Sequence, residues 1–297
     1  MDLSKVLELT KKYRNAILGL VVAILIIISL VNYIFFKVPV STIFKQVLDS
    51  IFAAIITALF GLLFVGLFLP DKKNKNGQQI EIAPNQITSE FDELLKVANR
   101  WRYKGNFGRY LRGKVLPTLS TKKNMHVTAC LIDPTNAELC QKHAEYRYSI
   151  NSIDKGKVYN HQLVVLEVIV TIIVCTWYSS NKDVQIELYL SSNYDPIRID
   201  SNDNAMILTV EDRRSPALKL TSQHFMYSHF ELVMRTAREQ AKKITLPKIR
   251  KSNSLNDLEE TDIDYILNNI NMIDVLKVVS VSEILSACKK VTNPYEN

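Results

Sequence analysis

A strongly basic and aromatic segment, residues 99–116 (NRWRYKGNFGRYLRGKVL), holds the side chains of this 297-residue chain that are best suited to chemistry. Guanidinium and ammonium groups contact phosphates, and aromatic rings between them can stack on bases, as binding to a single-stranded nucleic acid requires. The same cations suit anionic lipid headgroups. The segment contains no acidic residue. Its candidate binding residues are Arg100, Arg102, Lys104, Arg109, Arg112 and Lys114, with the aromatics Trp101, Tyr103, Phe107 and Tyr110.

A purely structural interpretation of this segment stands beside the two binding interpretations. In it, the aromatic side chains belong to a hydrophobic core and the cations form the solvated face of the first helices. Residue types and spacing alone leave three roles open: contact with nucleic acid or a nucleoprotein, contact with a lipid surface, and folding.

Catalytic motifs are incomplete along the whole sequence. GRYLRGKV, residues 108–115, has the phosphate-loop spacing G-x-x-x-x-G-K, but Val115 stands where a Ser or Thr would hold magnesium. None of the five histidines is followed two positions later by a lysine, and G-x-S-x-G, H-E-x-x-H and metal-spaced Cys/His clusters are absent from the sequence. A lone Asp133 or Asp200 could act in catalysis, but nothing specifies it. The sequence therefore predicts no catalytic residue, no metal site and no cofactor.

Two long apolar runs precede this segment. Residues 15–36 and residues 50–70 contain no charged side chain. At about 1.5 Å of rise per residue, each run would span roughly 30 Å as a helix, which matches the hydrocarbon core of a bilayer. A signal peptide is disfavoured for the first run, because the run is too long and no small-residue cleavage site follows it. We therefore predict a transmembrane hairpin with spans at about 15–36 and 50–70.

The positive charges beside these runs predict the orientation of the hairpin. Seven Lys and Arg residues flank its two ends, whereas the connection between the runs contains only Lys37 and Lys45. Cationic side chains resist translocation, so both termini are expected in the cytoplasm of a multi-pass inner-membrane protein. The four cysteines form no C-x-x-C pair, as expected in a reducing compartment.

Small residues recur at every fourth position of the second run, at Ala53, Thr57 and Gly61. Such spacing lets two helix backbones approach closely in lipid. This face is therefore a candidate for self-association of the protein, or for packing on the first span of the same chain.

A third hydrophobic stretch, residues 158–181, is interrupted only by Glu167. A carboxylate in the middle of a membrane costs roughly 2 to 3 kcal/mol on insertion scales. The stretch is therefore expected to be buried inside a soluble domain, with a third span as the alternative. Its length favours a helix, whereas its many β-branched residues favour a strand.

The rest of the chain is predicted to form a cytosolic α/β or α+β domain at 89–245, after a polar linker at 71–88. Residues 246–297 are expected to be a second linker and a small helical extension that docks on the domain or on a partner. The first helix should place Phe91, Leu94, Leu95, Ala98 and Trp101 on one stripe. Other predicted elements are a strand at 125–134, a helix at NAELCQKHAEYRY, strands at 184–192 and around PIRID, AMILTVE and ALKLT, and a helix at about 223–244.

Taken together, these features resemble a known group of proteins. A two-span hairpin, the basic segment W-R-x-x-G-x-x-G-x-Y and a strand running into LIDPTNAELCQKHAEYR are similar to the membrane-anchored accessory proteins of bacterial antiphage systems, particularly the two-transmembrane effector of a retron. The soluble part of such proteins is similar to a phospholipase D-like fold that has lost its catalytic motifs. The missing His-x-Lys pairs agree with this resemblance.

The resemblance implies a toxin-like effector of antiviral defence. A reverse transcriptase and its multicopy single-stranded DNA would hold it silent, and on infection it would perturb the inner membrane and cause abortive infection. Assembly of several copies through the membrane helices is a further expectation. Two alternatives remain open: a membrane-anchored phosphodiesterase or phospholipase-like enzyme, and a passive membrane-tethered scaffold that binds nucleic acid.

Overall fold

The computed structural model describes residues 77–150, 159–212, 214–291 and 293, and isolated positions between 34 and 57. The chain divides into two compact units, Met1–Lys73 and Asn74–Asn297. The two predicted transmembrane spans therefore lie almost wholly outside the described residues. Of the predicted association face, Thr57 is described, as helical and exposed, whereas Ala53 and Gly61 lie outside the described residues. The hairpin remains a prediction.

The second unit is built on one mixed sheet of eight strands, in the order β1-β7-β6-β5-β2-β3-β4-β8. The predicted α/β architecture of this domain is confirmed, and the strands predicted at 125–134, 184–192, PIRID, AMILTVE and ALKLT are β3 to β7. The bounds are β1 Gln79–Ile82, β2 Arg100–Lys104, β3 Met125–Ile132, β4 Val184–Ser191, β5 Ile197–Ser201, β6 Ala205–Val210, β7 Ala217–Thr221 and β8 Lys242–Ile244.

The strands at the centre of the sheet share a direction. β3 pairs in parallel with β2 and β4. β5 runs antiparallel to β2 and to β6, so β6 has the same direction as β2. The carboxyl ends of β2, β3, β4 and β6 consequently meet at one edge of the sheet, where α/β proteins commonly gather functional side chains.

Seven α-helices of the described chain pack on this sheet, and they are divided unequally between its two faces. Buried side chains of six of them join one large core on the first face, whereas Tyr227 and Met234 of the fifth helix pack on the opposite face. A π-helical turn, Leu111–Val115, leads into the second helix. The bounds are α1 Ile87–Lys96, α2 Leu116–Leu119, α3 Ala137–Ser149, α4 His161–Asn181, α5 Phe225–Gln240, α6 Glu260–Asn269 and α7 Val281–Lys289.

Helix α4 is the core helix of the domain. It is long and apolar enough to cross a membrane, but 78% of its most apolar window is buried inside the domain. Buried apolar side chains lie all around α4 and not on one face only, which is typical of a helix enclosed on all sides. Within the described residues it is the one helix that passes this length and composition test. The prediction of a buried element at 158–181 is therefore confirmed as a helix.

The first predicted helix is too long. Helix α1 ends at Lys96, and Trp101 lies on β2 rather than on the helical stripe. Residues 100–104 (RWRYK) alternate polar and apolar side chains with the period of a strand, and β2 is paired on both sides, with β3 and β5. Ala98 and Trp101 are still buried, because the chain turns toward the same core after α1.

The side chain of Lys122, which is distant from α1 in sequence, binds the C-terminal end of that helix. Its Nζ donates to the carbonyl oxygens of Leu95, Lys96 and Ala98 at 3.3, 2.9 and 3.0 Å. Carbonyl oxygens at the C-terminal end of a helix lack the usual amide donor four residues later, and a cation also complements the helix dipole there. We expect Lys122→Met to lower the free energy of unfolding by about 1 to 2 kcal/mol in a denaturant titration. The exposed Lys123→Met is the matched control, and equal losses in both variants would contradict this role.

Two predicted boundaries differ from the structure. The predicted linker at 71–88 contains β1, which pairs with β7 at the sheet edge. The predicted C-terminal extension is part of the domain, because Ile263, Ile266 and Ile284 belong to the same core as α4. The elements within these two segments are short, with 4 residues in β1, 10 in α6 and 9 in α7, so burial against distant elements fixes their place more than local periodicity does.

Candidate functional site

Side chains alternate between the two faces of the sheet along β2, so the first half of the predicted binding segment is divided between these faces. Trp101 and Tyr103 face the large core and are 0% and 4% exposed. Arg100, Arg102 and Lys104 point to the opposite face, which α5 covers. Strand geometry therefore places the cations and the aromatics of this half on opposite sides of the sheet.

Arg102 is the centre of a polar cluster beneath α5. Its guanidinium donates to Ser201 Oγ at 3.2 Å, to the Asn202 carbonyl oxygen at 2.7 Å and to Tyr227 Oη at 2.9 Å. Asp203 and Glu231 are both 3.0 Å away and neutralise its charge. Burial raises the pKa of Tyr227 to about 12, so its hydroxyl remains protonated. Arg102 thus ties β2 to the β5–β6 turn and to α5.

The second half of the segment lies on the other side of the sheet. Arg109 donates to Glu167 Oε1 at 2.7 Å, and Arg112 contacts Glu167 Oε2 and donates to its carbonyl oxygen at 2.7 Å. Arg112 also donates to Thr171 Oγ1 at 2.6 Å. Although burial alone would raise the pKa of Glu167, the two arginines outweigh it and lower that pKa. The acid that interrupts the apolar stretch is therefore paired with the basic segment.

The ten predicted binding residues consequently do not form one surface. All four aromatic rings are buried, so stacking of a base on them would require the domain to open. Lys104 forms an ion pair with Asp195, Arg100 lies 3.9 Å from Asp203, and Lys114 lies 3.7 Å from Asp92. Contact of these cations with nucleic acid or lipid remains a prediction.

The clearest candidate site is a cleft of about 240 Å³ between the sheet and α5. Cross-strand pairing aligns Arg102 with Thr128 on its floor, and Cys130 follows two residues later on the same face of β3. Helix α5 supplies the wall. We call it the arginine cleft, and its polar and cationic lining consists of Arg102, Thr128, Cys130, Ser228, Glu231, Arg235 and Arg238.

Two arginines of this cleft were missed by the sequence reasoning. Arg235 pairs only with Glu239, at 3.9 Å, and both side chains are more than 60% exposed. Within the described part of the chain, the side chain of Arg238 makes no hydrogen bond or ion pair. Their three-residue spacing in a predicted helix, R-x-x-R, was the available signal. These two guanidiniums have fewer and longer contacts with acids than Arg102 has, and guanidiniums are well suited to anionic ligands.

Nucleophiles in the arginine cleft are not activated. Burial raises the pKa of the Cys130 thiol to about 11, so it stays protonated near neutral pH. His126 lies on the same strand face but four residues away, which is roughly 13 Å along a strand and too far to accept the thiol proton. The Ser228 hydroxyl donates to the Phe225 carbonyl oxygen at 2.9 Å. The cleft therefore combines exposed cationic side chains with a protonated thiol and with a hydroxyl that is bonded to the backbone of its own helix.

A second, larger groove of about 540 Å³ runs along the other side of α5. Lys104 and Asp195 line it with His229 and Leu232, and Leu232 also borders the arginine cleft. Burial lowers the pKa of Lys104. The groove has no excess of cations comparable with that of the arginine cleft.

A buried polar network lies at the carboxyl edge of the sheet, and it too was missed by the sequence reasoning. Glu211, which follows β6, accepts from Asn106 at 3.1 Å and pairs with Arg147 at 3.0 Å. His143 is fully buried, with Nε2 at 3.4 Å from the same carboxylate. Burial alone would raise the pKa of Glu211, but His143 and Arg147 lower it to about 2. Tyr159 links Arg147 to Arg109, so this network joins the Glu167 pairs.

No group of three or more His, Cys, Asp or Glu residues suited to a metal ion is found in the residues that the structure describes. All four cysteines are free and buried.

Comparison with known proteins gives a fold-level similarity only. No family model and no curated protein matches the chain. A phospholipase D family member, Nuc from Salmonella typhimurium, is 9% identical, with a TM-score of 0.33 over 60% of this chain and 100% of that one. Phosphatidylserine synthase from Haemophilus influenzae is 13% identical, with a TM-score of 0.39 over 69% and 47%. The archaeal chromatin protein TrmBL2 is 13% identical, with a TM-score of 0.32 over 69% and 68%. TM-scores this low do not define a function.

Proposed function

We propose that this chain is an inner-membrane effector of a bacterial antiphage system of the retron type. Its cytosolic domain is a binding and regulatory module with a phospholipase D-like fold and no hydrolytic activity. The predicted hairpin anchors it, with both termini in the cytoplasm. When released from its partners it perturbs the membrane, and growth arrest or cell death follows.

The arginine cleft is the observation that carries this proposal. It offers Arg235 and Arg238 to an anionic group, yet the Cys130 thiol is protonated and the nearest histidine on that strand face is four residues away. A site of this kind retains a phosphodiester or phosphate without cleaving it. The multicopy single-stranded DNA of a retron and its reverse transcriptase are the partners that this chemistry and the resemblance suggest.

The proposal is tested by expressing the full chain alone from an inducible promoter and recording growth and membrane potential. We expect rapid depolarisation and growth arrest, and we expect neither from a chain that lacks residues 1–73. Cys130→Ala, Ser228→Ala and His126→Gln should leave the toxicity unchanged. Coexpression of the partners should suppress it.

Two results would establish an alternative function. Hydrolysis of a generic phosphodiester by the purified full-length protein, lost in Cys130→Ala or His126→Gln, would make it an enzyme. An intact membrane potential during overexpression would favour a passive nucleic-acid-binding scaffold.

The association face supplies a separate prediction. We expect simultaneous replacement of Ala53, Thr57 and Gly61 by Leu to reduce toxicity, because bulky side chains keep helix backbones apart in lipid. The matched control replaces Ile51, Ile55 and Ile56 by Leu, which changes apolar side chains without filling the small-residue stripe. Immunoblots must show equal membrane levels, and undiminished depolarisation by the first variant would exclude a role for this face in toxicity.

A further inference from the structure

Helix α5 has an apolar stripe on each of two sides. Its inner side contributes Tyr227 and Met234 to the smaller core, where they are 5% exposed. Its outer side presents Phe225, Leu232 and Val233, which are 68%, 47% and 45% exposed. These three follow the i, i+7, i+8 spacing of one helix face. Clustered exposed apolar side chains of this size mark an interaction surface, which we call the outer α5 stripe.

The chain enters the domain at the beginning of this helix. A Cβ added at Gly77 would lie 2.8 Å from the Gln223 carbonyl oxygen and 3.0 Å from His224 Cα, so the backbone of residue 77 touches the N-terminal cap of α5. Gln78 N donates to Thr221 Oγ1 at 2.9 Å, and Thr221 N donates to the Gln78 carbonyl oxygen at 3.1 Å. The entry point of the chain is thus fixed next to Phe225.

Few residues separate this entry point from the second predicted span. The span ends at residue 70, and the six residues 71–76 reach at most roughly 25 Å when fully extended. Three of these residues are lysines. The first turn of α5 therefore cannot move far from the membrane surface if the hairpin is inserted, and its local concentration at that surface is high.

Exposed cations accompany the outer α5 stripe. Arg235 lies in the same helix, and Lys242 and Lys243 follow it in β8, all three exposed; Arg235 is 3.9 Å from Glu239 and Lys243 is 2.9 Å from Glu187. Large apolar side chains beside a basic border are typical of helices that lie in the interface of an anionic bilayer.

We propose that the outer α5 stripe docks on the anionic inner leaflet, with α5 lying in the plane of the membrane interface. This inference rests on the proposed function, because it needs the hairpin as the anchor. The occupant is the phospholipid surface. Docking orients the domain and leaves the arginine cleft, which Leu232 also borders, beside the membrane.

The test uses the full-length protein with a fluorophore attached at Val233→Cys, reconstituted in phosphatidylcholine vesicles with or without phosphatidylglycerol. The four native cysteines are buried and do not compete for the label in the folded protein. Quenching by lipids that carry a quencher at known depths should place this label about 5 to 10 Å below the lipid phosphates. A label at Tyr265→Cys, exposed on α6, should stay in water.

Charge and apolar contributions are separated by two further measurements. Insertion of the Val233 label should be deeper with phosphatidylglycerol and weaker at high salt. In a variant with Phe225→Ser and Leu232→Ser, a label at Thr236→Cys should lose its quenching, whereas the same label without these substitutions should be quenched.

Flotation of the protein with the vesicles distinguishes failure of the membrane anchor from failure of α5 docking. If the protein does not float with them, the anchor fails, and this inference fails with it. If it floats but the Val233 label stays in water, or is no more quenched than the Tyr265 label, docking of α5 is refuted and the anchored effector stands. A label at Val233 that is shielded from water without lipid quenching would show a protein occupant and would also refute lipid docking.

Discussion

Arg112→Ala is expected to lower the free energy of unfolding of the cytosolic domain by about 3 to 5 kcal/mol, the usual loss when one partner of a buried ion pair is removed. Arg112 is 11% exposed and Glu167 is 15% exposed, so water cannot replace the lost guanidinium fully. Arg109 alone would then face the carboxylate. The measurement is denaturant unfolding of the full-length protein in detergent, followed by tryptophan fluorescence.

The control for this prediction is an ion pair that is exposed to solvent. Lys142 lies 2.6 Å from Glu138 on α3, with side chains 61% and 78% exposed. Lys142→Ala should therefore change the free energy of unfolding far less than Arg112→Ala does, because solvent screens this pair. Arg112→Lys should lie between the two, because a single ammonium cannot reproduce the forked contacts to Glu167 and Thr171. An Arg112→Ala protein as stable as Lys142→Ala would mean that the Glu167 pair contributes little to the fold.

Glu211→Gln is expected to remove part of the acid sensitivity of the domain. Neighbouring cations lower the pKa of Glu211 in the folded protein to about 2, from an ordinary value of 4.5. The unfolded chain therefore binds the proton first as pH falls, so this group stabilises the fold above pH 4.5 and loses that contribution between about 4.5 and 2. Over that window the wild type should lose roughly 1 kcal/mol per pH unit more than the variant.

The variant should also be less stable at neutral pH, since Arg147 then lacks the carboxylate that neutralises it. Denaturant titrations at several pH values between 2 and 7 measure both effects. Glu138→Gln is the control, because the pKa of that exposed carboxyl is lowered only by its pairing with Lys142. Parallel stability curves for the wild type and Glu211→Gln would show that Glu211 keeps no depressed pKa in the folded protein.

Both predictions concern groups that tie the loops at the carboxyl edge of the sheet to α3 and α4. Arg112, Arg109 and Arg147 hold two buried carboxylates there. Reversing the charge of Arg109 would place a second carboxylate beside Glu167, so such a variant reports on stability before it reports on binding. Arg235 and Arg238, at the arginine cleft, are better positions for probing partner contact, because they support no buried pair.

Several elements of this domain were predictable from local pattern. The alternation of VQIELYLSS identified β4, and the cost of Glu167 in lipid identified 158–181 as a buried element, although only the structure shows that this element is a helix. The basic segment was recognised as unusual, but its division into a strand and a π-helical turn was not predicted. Phe91, Leu94, Leu95, Ala98 and Trp101 fit a helical stripe equally well, and only the pairing of β2 with β3 and β5 shows where that helix ends.

The amino-acid sequence by itself indicated the α/β class, the burial of the stretch that forms α4 and the two uncharged apolar runs, because each depends on the periodicity or length of a continuous stretch of residues. Only the tertiary structure decided which acids neutralise the basic segment, since Glu167 is 55 residues from Arg112 and Asp203 is 101 residues from Arg102. It also decided that α5 alone, among the described helices, covers the second face of the sheet. Ion pairs and cleft walls form between residues that are distant in sequence, and no local pattern specifies their partners.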